Sequence, residues 1–468
     1  MIYKNFNEIK NLNFPVLIIG SGPAGISVAL KLEEKKIKCL IIEAGDEEYS
    51  EKSQNFYESK IIGDEITNLK YSRLRQFGGT SNQWGGWSKP MEDYNLSNWD
   101  IKKNELHKYE KETCEILGIK NQFRKSNLNR LFNQIEFQYS KVNFKDKYKD
   151  HIQKSKYINL ILNTQITDFY GKESKTFYVN CIFNKKEFKM KSNYFVLAAG
   201  GIENSRVLLW TREKNNLIDK NLPIGENWMT HPWFIAGHGI LRKKKLAKYL
   251  GNKFINIEDP LHLACSKNFK EENLLSGSLY MNSFENEKFH KELVKDVLCI
   301  APNLGKKLAR ALFKKDLKCG NIFFHFEELP SSNNKVTLDK NIKDQNQIPI
   351  SNLLYKKSDF TLRKAKMMVE EFANTCRKLD IGRVGIKKEI YDLNGYDSLG
   401  VYHHLGGTKL GTSYKNSVVD TNLKVHNNKN LFVAGSSVFP TSGYTNPTFT
   451  IIQLSLRLGE FLSKKITM

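Results

Sequence analysis

The chain of 468 residues lacks any long uninterrupted apolar run. No stretch approaches the roughly 18 consecutive apolar residues that a membrane-spanning helix needs. Residues 1–15 also mix charges and asparagines where a secretory signal peptide carries an apolar centre. We therefore predict a protein without a spanning helix that stays in the cytoplasm. Contact with a membrane surface is the less favoured alternative.

Paired cysteines are missing as well. The seven cysteines occur singly, without a CxxC spacing and without a metal-type pairing with histidine. An odd, dispersed set of this kind is typical of reduced thiols that serve in packing. We expect no structural zinc, no iron–sulfur cluster and no other metal.

Arginine is scarce among the basic residues. The formal charge is +23, yet only 12 of the 73 basic residues are arginine and the other 61 are lysine. Arginine reads phosphates and bases with a planar fork, whereas scattered lysines mostly solvate a surface. We therefore expect no nucleic-acid partner, although the charge suits an anionic substrate or surface.

A strand, a glycine turn and a helix follow one another near the start of the chain. Residues 16–19 form an apolar run of strand length, and Gly20, Gly22 and Gly25 follow with the spacing GxGxxG before a helical pattern. Gly20 makes the turn, Gly22 lets the backbone approach a pyrophosphate, and Gly25 lets the helix pack on the strand. The amino terminus of the helix then directs its amides at the phosphates.

A second predicted strand, residues 38–42, ends in Glu43, whose carboxylate can accept hydrogen bonds from a ribose. The order of strand, glycines, helix, strand and acid predicts a dinucleotide site. The alternative is a glycine turn that binds no ligand. Residues 194–199 repeat the pattern with Gly200 and Gly201 before a helix, which indicates that chain far from the start completes the same sheet.

Residues 73–90, RLRQFGGTSNQWGGWSKP, form a glycine-rich loop with interleaved tryptophans. Such a loop is too long for a simple turn and predicts a functional segment. Its glycines would let the backbone lie flat on a planar ligand, with Trp84 and Trp87 as walls. The alternative is an ordinary loop packed by its aromatic residues.

The middle of the chain is less informative. Residues 95–156 look helical and polar, and they carry no chemical signal. From about 233 to 391, lysine-rich helical stretches alternate with short aromatic strands, and we place a substrate domain there. Residues 293–318 have a basic amphipathic pattern, which suits either an ordinary surface helix, the favoured reading, or a helix on an anionic membrane.

The chain resembles the glucose-methanol-choline oxidoreductases, flavoproteins that oxidise alcohols, and is most similar to the sugar-oxidising branch around the pyranose oxidases. The resemblance rests on motifs at both ends of the chain and finds no useful match in residues 95–156 and 241–316. The motifs are GSGPAG, FGGTSNQWGG, LAAGGIENSRVLL, GENWMTHP, FEELPSSNNKVTLD, HHLGGTKLG, VVDTNLKV and LFVAGSSVFPTSGYTNPTFTI.

The resemblance implies an α/β fold, α+β overall. A Rossmann-like FAD-binding domain is expected from residues 1–94, 157–235 and 396–468. A second, discontinuous substrate-binding domain, built on an antiparallel sheet with helices, is expected from residues 95–156 and 236–395. The chain is short for the family, so we expect a reduced substrate domain that leaves the flavin open to large or polymer-linked substrates.

The resemblance also assigns catalytic residues, His404 and Asn446. A flavin can take a hydride from a carbinol carbon only if the hydroxyl proton leaves, and a neutral imidazole within hydrogen-bond reach can take that proton. Asn446 can hold the hydroxyl in line, since its amide both donates and accepts. His403 is expected to be a loop residue beside the base.

The expected cofactor is dissociable FAD. Some relatives attach the flavin to a histidine of the glycine-tryptophan loop, but the matching position here is Gln83, and the first histidine of the chain is His107. The predicted cofactor-binding residues are Gly20, Gly22, Pro23, Ala24, Gly25, Glu43, Ala44, Gly78, Gly79, Thr80, Ser81, Trp84, Gly85, Ala199, Gly200, Gly435, Ser436, Asn446, Pro447 and Thr448.

The expected reaction is oxidation of a CH–OH group of a sugar or sugar-like alcohol to a carbonyl. The expected partners are a small-molecule or glycan-linked alcohol and an unidentified electron acceptor. One alternative is oxidation of a lipophilic, membrane-associated alcohol, for which the basic pattern at 293–318 would be the discriminating feature. A different class is a binding protein that keeps the fold without the chemistry.

Overall fold

The computed structural model describes residues 1–66, 68–250, 261–281, 317–392 and 402–467. Within these ranges the strands form five sheets. The strands are β1 (Ile2–Tyr3), β2 (Val16–Ile19), β3 (Cys39–Ile42), β4 (Ser59–Gly63), β5 (Trp87–Ser88), β6 (Lys125–Asn127), β7 (Phe132–Ile135), β8 (Gln138–Tyr139), β9 (Ile158–Ile161), β10 (Thr164–Lys172), β11 (Lys175–Phe183), β12 (Lys186–Lys191), β13 (Tyr194–Leu197), β14 (Trp233–Arg242), β15 (Leu261–Cys265), β16 (Gly277–Met281), β17 (Leu317–Phe326), β18 (Lys335–Lys343), β19 (Pro349–Tyr355), β20 (Gly382–Ile386) and β21 (Leu431–Val433).

Helices connect and cover these sheets. The α-helices are α1 (Pro23–Glu34), α2 (Glu51–Gln54), α3 (Asp93–Leu96), α4 (Lys103–His107), α5 (Glu110–Leu117), α6 (Phe144–Lys154), α7 (Glu203–Lys214), α8 (Lys243–Leu250), α9 (Lys267–Asn273), α10 (Asp359–Lys378) and α11 (Thr448–Thr467). Short 3₁₀ helices lie at Phe6–Glu8, Asn55–Tyr57, Gly79–Asn82, Lys388–Ile390 and Ser436–Val438.

The first large sheet is parallel throughout, with the order β1-β9-β3-β2-β13-β21. The central strands β2 and β3 are fully buried, which explains their continuous apolar sequences, since both faces of a parallel sheet are covered. α1 packs against α11, the last helix of the chain. The predicted strand–helix–strand unit and the contribution of residues 194–197 to the same sheet are confirmed.

The second large sheet is antiparallel, with the order β20-β14-β17-β16-β15-β7-β6. It has a separate apolar core, to which α10 contributes Met368 and Phe372. The Phe372 ring meets the Phe132 ring of β7 edge to face, with 5.8 Å between centroids. The predicted fold class, a Rossmann-like domain with an antiparallel second layer, is confirmed.

The segment 95–156 contributes to both of these layers. Leu106 of α4, Leu117 of α5 and Phe144 of α6 are buried in the core of the parallel sheet. By contrast, β6 and β7 from the same segment extend the antiparallel sheet. The boundary between the two layers therefore runs through this segment, whereas the sequence analysis assigned all of it to the substrate domain.

Two sequence-based expectations concern membranes. The basic amphipathic pattern at 293–318 lies outside the described residues, apart from residues 317 and 318, which begin β17. No helix within the described ranges is both long enough and apolar enough to cross a bilayer. The cytoplasmic location stays a prediction.

Five cysteines have described side chains, and all are free and buried. Cys39, Cys114 and Cys181 lie in the core of the parallel sheet, and Cys265 and Cys376 lie in the core of the antiparallel sheet. Burial raises the thiol pKa of Cys114, Cys265 and Cys376 to about 12. These thiols are protonated at neutral pH and serve in packing.

Gly25→Ala should destabilise the fold. A Cβ on Gly25 would lie 2.0 Å from the carbonyl oxygen of Gly20, a backbone atom that cannot rotate away. Forced overpacking of this kind typically costs about 1–3 kcal/mol. We expect a lower urea midpoint for the apoprotein than in the wild type.

Gly22→Ala provides the matched control, because its Cβ would find only the Cα of Gly79, at 4.0 Å. This variant should unfold close to the wild-type midpoint. Equal midpoints for the two alanine variants would contradict the close helix–strand packing.

Candidate functional site

A cavity of about 1000 Å³ opens at the carboxyl ends of the parallel strands. Its walls include the turns after β2, β3, β13 and β21, the glycine-tryptophan loop and one face of the antiparallel sheet. In open parallel sheets, ligands bind at the carboxyl ends of the strands. The position of the cavity therefore agrees with the predicted dinucleotide site.

The glycine turn leaves backbone amides free for a phosphate. Gly20 has φ of +105°, and Gly22 caps α1 without a side-chain hydrogen bond to the first turn. The empty space at the Cβ position of Gly22 lets the backbone approach a ligand. The amides and the positive end of the α1 dipole therefore suit a pyrophosphate.

Glu43 at the end of β3 is held in place by its neighbours. Its Oε2 accepts hydrogen bonds from the amide and hydroxyl of Ser21, at 3.0 and 2.6 Å, and its Oε1 accepts one from the Gly45 amide at 2.8 Å. A carboxylate oxygen has two lone pairs, so Oε1 has room for a second donor. Glu43 lines the cavity, where a ribose hydroxyl can be that donor.

The glycine-tryptophan loop forms a second wall. It contains the 3₁₀ helix Gly79–Asn82, and the Trp84 indole donates to the carbonyl of Val142 at 2.9 Å. The Gln83 amide donates to the carbonyl of Tyr71 at 2.7 Å, within the polypeptide. Both side chains are thereby oriented by the backbone.

The cavity brings together nearly all the predicted cofactor residues. Gly25 and Gly78 are the two that do not line it. Gly25 acts in helix packing, and Gly78, with φ of +89°, makes a turn in which a Cβ would lie 2.7 Å from the amide nitrogen of Lys145. The predicted catalytic residues His404 and Asn446 also line this cavity.

A buried ionic cluster supports the nucleotide side of the cavity. Arg73 donates to Glu203 at 2.7 Å, and Arg206 donates to Glu203 at 3.2 Å and to Asp344 at 2.7 Å. Although burial alone would raise the pKa of Glu203, the two arginines hold it below its usual range. The cluster joins the loop at Arg73, helix α7 and the β18–β19 hairpin.

The antiparallel sheet presents a row of rings along one side of the cavity. Trp233 stacks on Phe323 with 5.6 Å between centroids, and Phe323 stacks on Tyr280 at 4.8 Å and 7°. His262 continues the row, 5.5 Å from Tyr280. These rings come from the neighbouring strands β14, β17, β16 and β15. Ser278 and His325 line the cavity beside the row, and no Lys, Arg, Asp or Glu of this sheet face does so within the described residues.

His404 is enclosed on several sides. Its Nε2 lies 2.7 Å from the Ser72 hydroxyl, and its ring stacks on Trp228 with 5.8 Å between centroids. Its Nδ1 is buried and has no hydrogen-bond partner among the described residues. Burial, followed by the charge of Arg73, lowers the pKa of His404 to about 3. The ring is therefore neutral at physiological pH.

His403 has a different environment. It is partly buried and lines the cavity, and its Nδ1 lies 2.8 Å from Nδ1 of His231. Burial lowers the pKa of His403 well below its usual range, and the neighbours His231, His325 and His404 add to this effect. His403 therefore meets the histidines on the substrate side of the cavity, while His404 meets the loop at Ser72.

Sequence reasoning missed the histidines and rings of the substrate side. His231 lies in the motif GENWMTHP, and its place in that motif could have identified it from the sequence as a site residue. Trp233, His262, Tyr280 and His325 come from separate strands of an antiparallel sheet. Their convergence depends on strand register, which short sequence patterns do not specify.

Two family models match parts of the chain. Residues 330–455 match the carboxyl-terminal model described as GMC oxidoreductase. Residues 14–221 match the model described as pyridine nucleotide-disulphide oxidoreductase. The first match contains the histidine loop with His403 and His404, and the second contains the glycine turn.

Two curated proteins show sequence similarity. The fructose dehydrogenase large subunit of Gluconobacter japonicus is 26% identical over 280 residues, which are 59% of this chain and 48% of that protein. The 2-methyl-1,2-propanediol dehydrogenase of Mycolicibacterium austroafricanum is 27% identical over 146 residues, which are 31% of this chain and 25% of that protein. The chain thus spans about half of the first relative and a quarter of the second.

Solved structures share the fold over almost the whole chain. Pyridoxine 4-oxidase from Mesorbium loti superposes with a TM-score of 0.62 at 13% identity, covering 96% of this chain and 99% of the other. A mutant of formate oxidase from Aspergillus oryzae RIB40, solved for its effect on FAD modification, gives 0.59 at 15% identity, covering 98% and 99%. The GMC model match, the sequence relatives and this shared fold agree with the site geometry, and together they support a place for the chain in the glucose-methanol-choline (GMC) oxidoreductase family.

Proposed function

We propose that this protein is an FAD-dependent oxidoreductase that oxidises a CH–OH group of a sugar or sugar-like alcohol to a carbonyl. The observation that carries the proposal is one cavity bounded by a dinucleotide-type strand edge, the histidine loop and an aromatic sheet face. The match to the GMC model and the similarity to a fructose dehydrogenase and a diol dehydrogenase support it.

The residues of the strand edge fit FAD. The free amides at the start of α1 would hold the pyrophosphate, Oε1 of Glu43 would accept from the ribose, and the turns at Gly200 and Gly435 would let the backbone approach the ligand. Bound FAD would supply the acceptor for the hydride that leaves the carbinol carbon.

The substrate side favours a neutral ring that carries hydroxyl groups. The rings of Trp233 and Tyr280 form an apolar part of the cavity wall, and Ser278 and His262 are the polar side chains beside them. A few polar groups set in an aromatic wall are typical of a site for an uncharged organic ligand. A carboxylate or phosphate on the substrate would lose its hydration shell here. The described residues of the sheet face offer no positive charge to compensate for that loss.

The hydroxyl proton needs a base, and we propose His404, the residue that the family resemblance assigns. His404 lines the cavity, and burial keeps its ring neutral, as a proton acceptor must be. His403 lies beside it in the same cavity and is neutral for the same reason. Asn446 lines the same cavity and would hold the hydroxyl in line.

We further propose that the FAD is not covalently attached. Gln83 stands at the position of the attaching histidine, and its amide is a poor nucleophile that already donates to Tyr71. Acid precipitation of the yellow protein should leave unmodified FAD in the supernatant and a polypeptide of unaltered mass in the pellet. A pellet that keeps the flavin, or a mass increased by that of FAD, would refute this point.

The proposed activity is tested by anaerobic mixing with a panel of neutral sugars and alcohols while the flavin absorbance is followed. At least one neutral cyclic sugar should bleach the flavin, and the matching uronic acid should do so more slowly, because its carboxylate is costly to desolvate at the ring-lined face. Admission of air afterwards distinguishes an oxidase from a dehydrogenase that needs another acceptor. A flavin that no neutral alcohol bleaches would contradict the proposal.

His403→Gln and His404→Gln separate the two histidines. The His404 variant should lower the rate of flavin bleaching by about 10²- to 10⁴-fold, as expected for loss of a general base, with unchanged FAD content. The His403 variant loses the contact with His231 and should lower the rate less. A greater loss of rate in the His403 variant would make His403 the base.

A further inference from the structure

Two exposed tyrosines, Tyr71 and Tyr402, lie at the mouth of the cavity. They keep 45% and 48% of their surface exposed, and both belong to the cavity lining. Among the described residues, the other large apolar or aromatic side chains with this degree of exposure do not line the cavity. Tyrosine suits a ligand surface at such a place, since its ring is apolar while its hydroxyl stays hydrated.

The mouth tyrosines are close in the chain to the proposed base. Tyr71 precedes Ser72, whose hydroxyl lies 2.7 Å from Nε2 of His404, and Tyr402 is two residues before His404. Consecutive Cα atoms are only about 3.8 Å apart, so both tyrosines are held near the point where the hydroxyl proton would leave. A substrate longer than its reacting unit would therefore extend past them towards solvent.

The ring of Tyr71 is held in place before any ligand arrives. Its hydroxyl donates to Oε1 of Glu51 at 2.9 Å, and the ammonium of Lys70 lies over the ring, 5.0 Å from its centre. The Lys70 charge is itself paired with Glu51 at 2.8 Å and with Glu58 at 2.9 Å. A ring fixed in advance loses little conformational entropy when a ligand covers its other face.

The polar groups at the mouth are uncharged. Asn68 and Gln83 are exposed and line the cavity, and Oε1 of Gln83 has no hydrogen-bond partner within the described ranges. The charged side chains of the lining are all buried, namely Glu43, Arg73, Arg75, Glu203 and Arg206. Amides beside aromatic rings, without an exposed charge in the lining, suit a neutral ligand that carries many hydroxyl groups.

We propose that the mouth tyrosines and the two amides form an outer subsite for a neutral sugar unit linked to the unit that is oxidised. The substrate is then the end of a neutral oligosaccharide or glycan, with its reacting CH–OH group at His404 and the next sugar ring on Tyr71. The place of the reacting unit rests on the proposed function, whereas binding of the outer unit is measurable without turnover. A free monosaccharide leaves the outer subsite empty and binds more weakly.

The first test measures affinity. Titration of FAD-loaded protein with glucose, maltotriose and cellotriose, followed without oxygen by saturation-transfer NMR, gives the three dissociation constants. Covering one face of a tyrosine removes roughly 50 Å² of apolar surface from water, which corresponds to about a tenfold gain in affinity. We expect at least one trisaccharide to bind about tenfold more tightly than glucose. Equal dissociation constants for all three sugars would overturn the inference.

The second test removes the rings one at a time. Tyr71→Ala should abolish most of the preference for the trisaccharide, and Tyr71→Phe should keep most of it, because the ring face remains when only the bond to Glu51 is lost. Tyr402→Ala should also reduce the preference, and it decides the matter if Tyr71→Ala does not fold. A preference that survives both alanine substitutions would refute the subsite.

Tyr49→Ala is the matched control. Tyr49 is 46% exposed and also donates to Glu51, but it does not line the cavity. This variant should keep the wild-type preference for the trisaccharide. An equal loss in Tyr49→Ala and Tyr71→Ala would show that the cluster around Glu51, and not the cavity-lining ring, is responsible, and would contradict the proposal.

Kinetics separate this inference from the proposed function. For the neutral monosaccharide that bleaches the flavin fastest, at least one of its linked disaccharides should have a KM lower by about tenfold. Bleaching with equal KM values would uphold the proposed function and reject the outer subsite. A trisaccharide preference without bleaching by any alcohol would do the reverse. If Tyr71→Ala slowed only the reoxidation of the flavin by a quinone, the ring would belong to an electron-acceptor site and the inference would be wrong.

Discussion

The close approach of β2 and β13 is the constraint on which the rest of the site depends. A Cβ on Gly20, at the end of β2, would lie 2.4 Å from the carbonyl oxygen of Ala198, just past the end of β13. Because only glycine fits, the two strands run side by side up to their carboxyl ends, and β3 and β21 end at the same edge. The turns that leave this edge line the cavity. The position of the predicted nucleotide site therefore follows from the strand order and from the absence of a side chain at Gly20.

The sequence predicted those parts of the molecule whose signals are local. The unit from β2 through α1 to Glu43 carries its turn, packing and ligand-binding features within a short segment, and the structure confirms its fold. The ring-lined face could not be predicted in this way, because Trp233, Phe323 and Tyr280 become neighbours only through strand register. The strands β6 and β7 within residues 95–156 could not be predicted for a related reason, since they are short, lie among polar helices and are defined by the sheet they join. The residue roles taken from the family resemblance stay predictions until the variants are measured.

The two adjacent histidines show that neighbouring residues of one motif can have different surroundings in the structure. A loop turns successive side chains in different directions, so His404 packs on Trp228 and meets Ser72, while His403 reaches His231. Both rings are neutral for the same reason, because burial disfavours the imidazolium. They differ in the partners of their ring nitrogens, which are Ser72 for His404 and His231 for His403.

The buried cysteines can report separately on the opening of the two apolar cores. Cys39 and Cys181 lie in one apolar core, and Cys265 and Cys376 lie in the other, so a thiol reagent cannot reach either set while the packing around it is intact. Because buried thiols stay protonated, they are also poor nucleophiles in the native state. Alkylation followed by peptide mapping would therefore measure the opening of each layer separately, and would tell whether the parallel and antiparallel sheets melt together or one after the other.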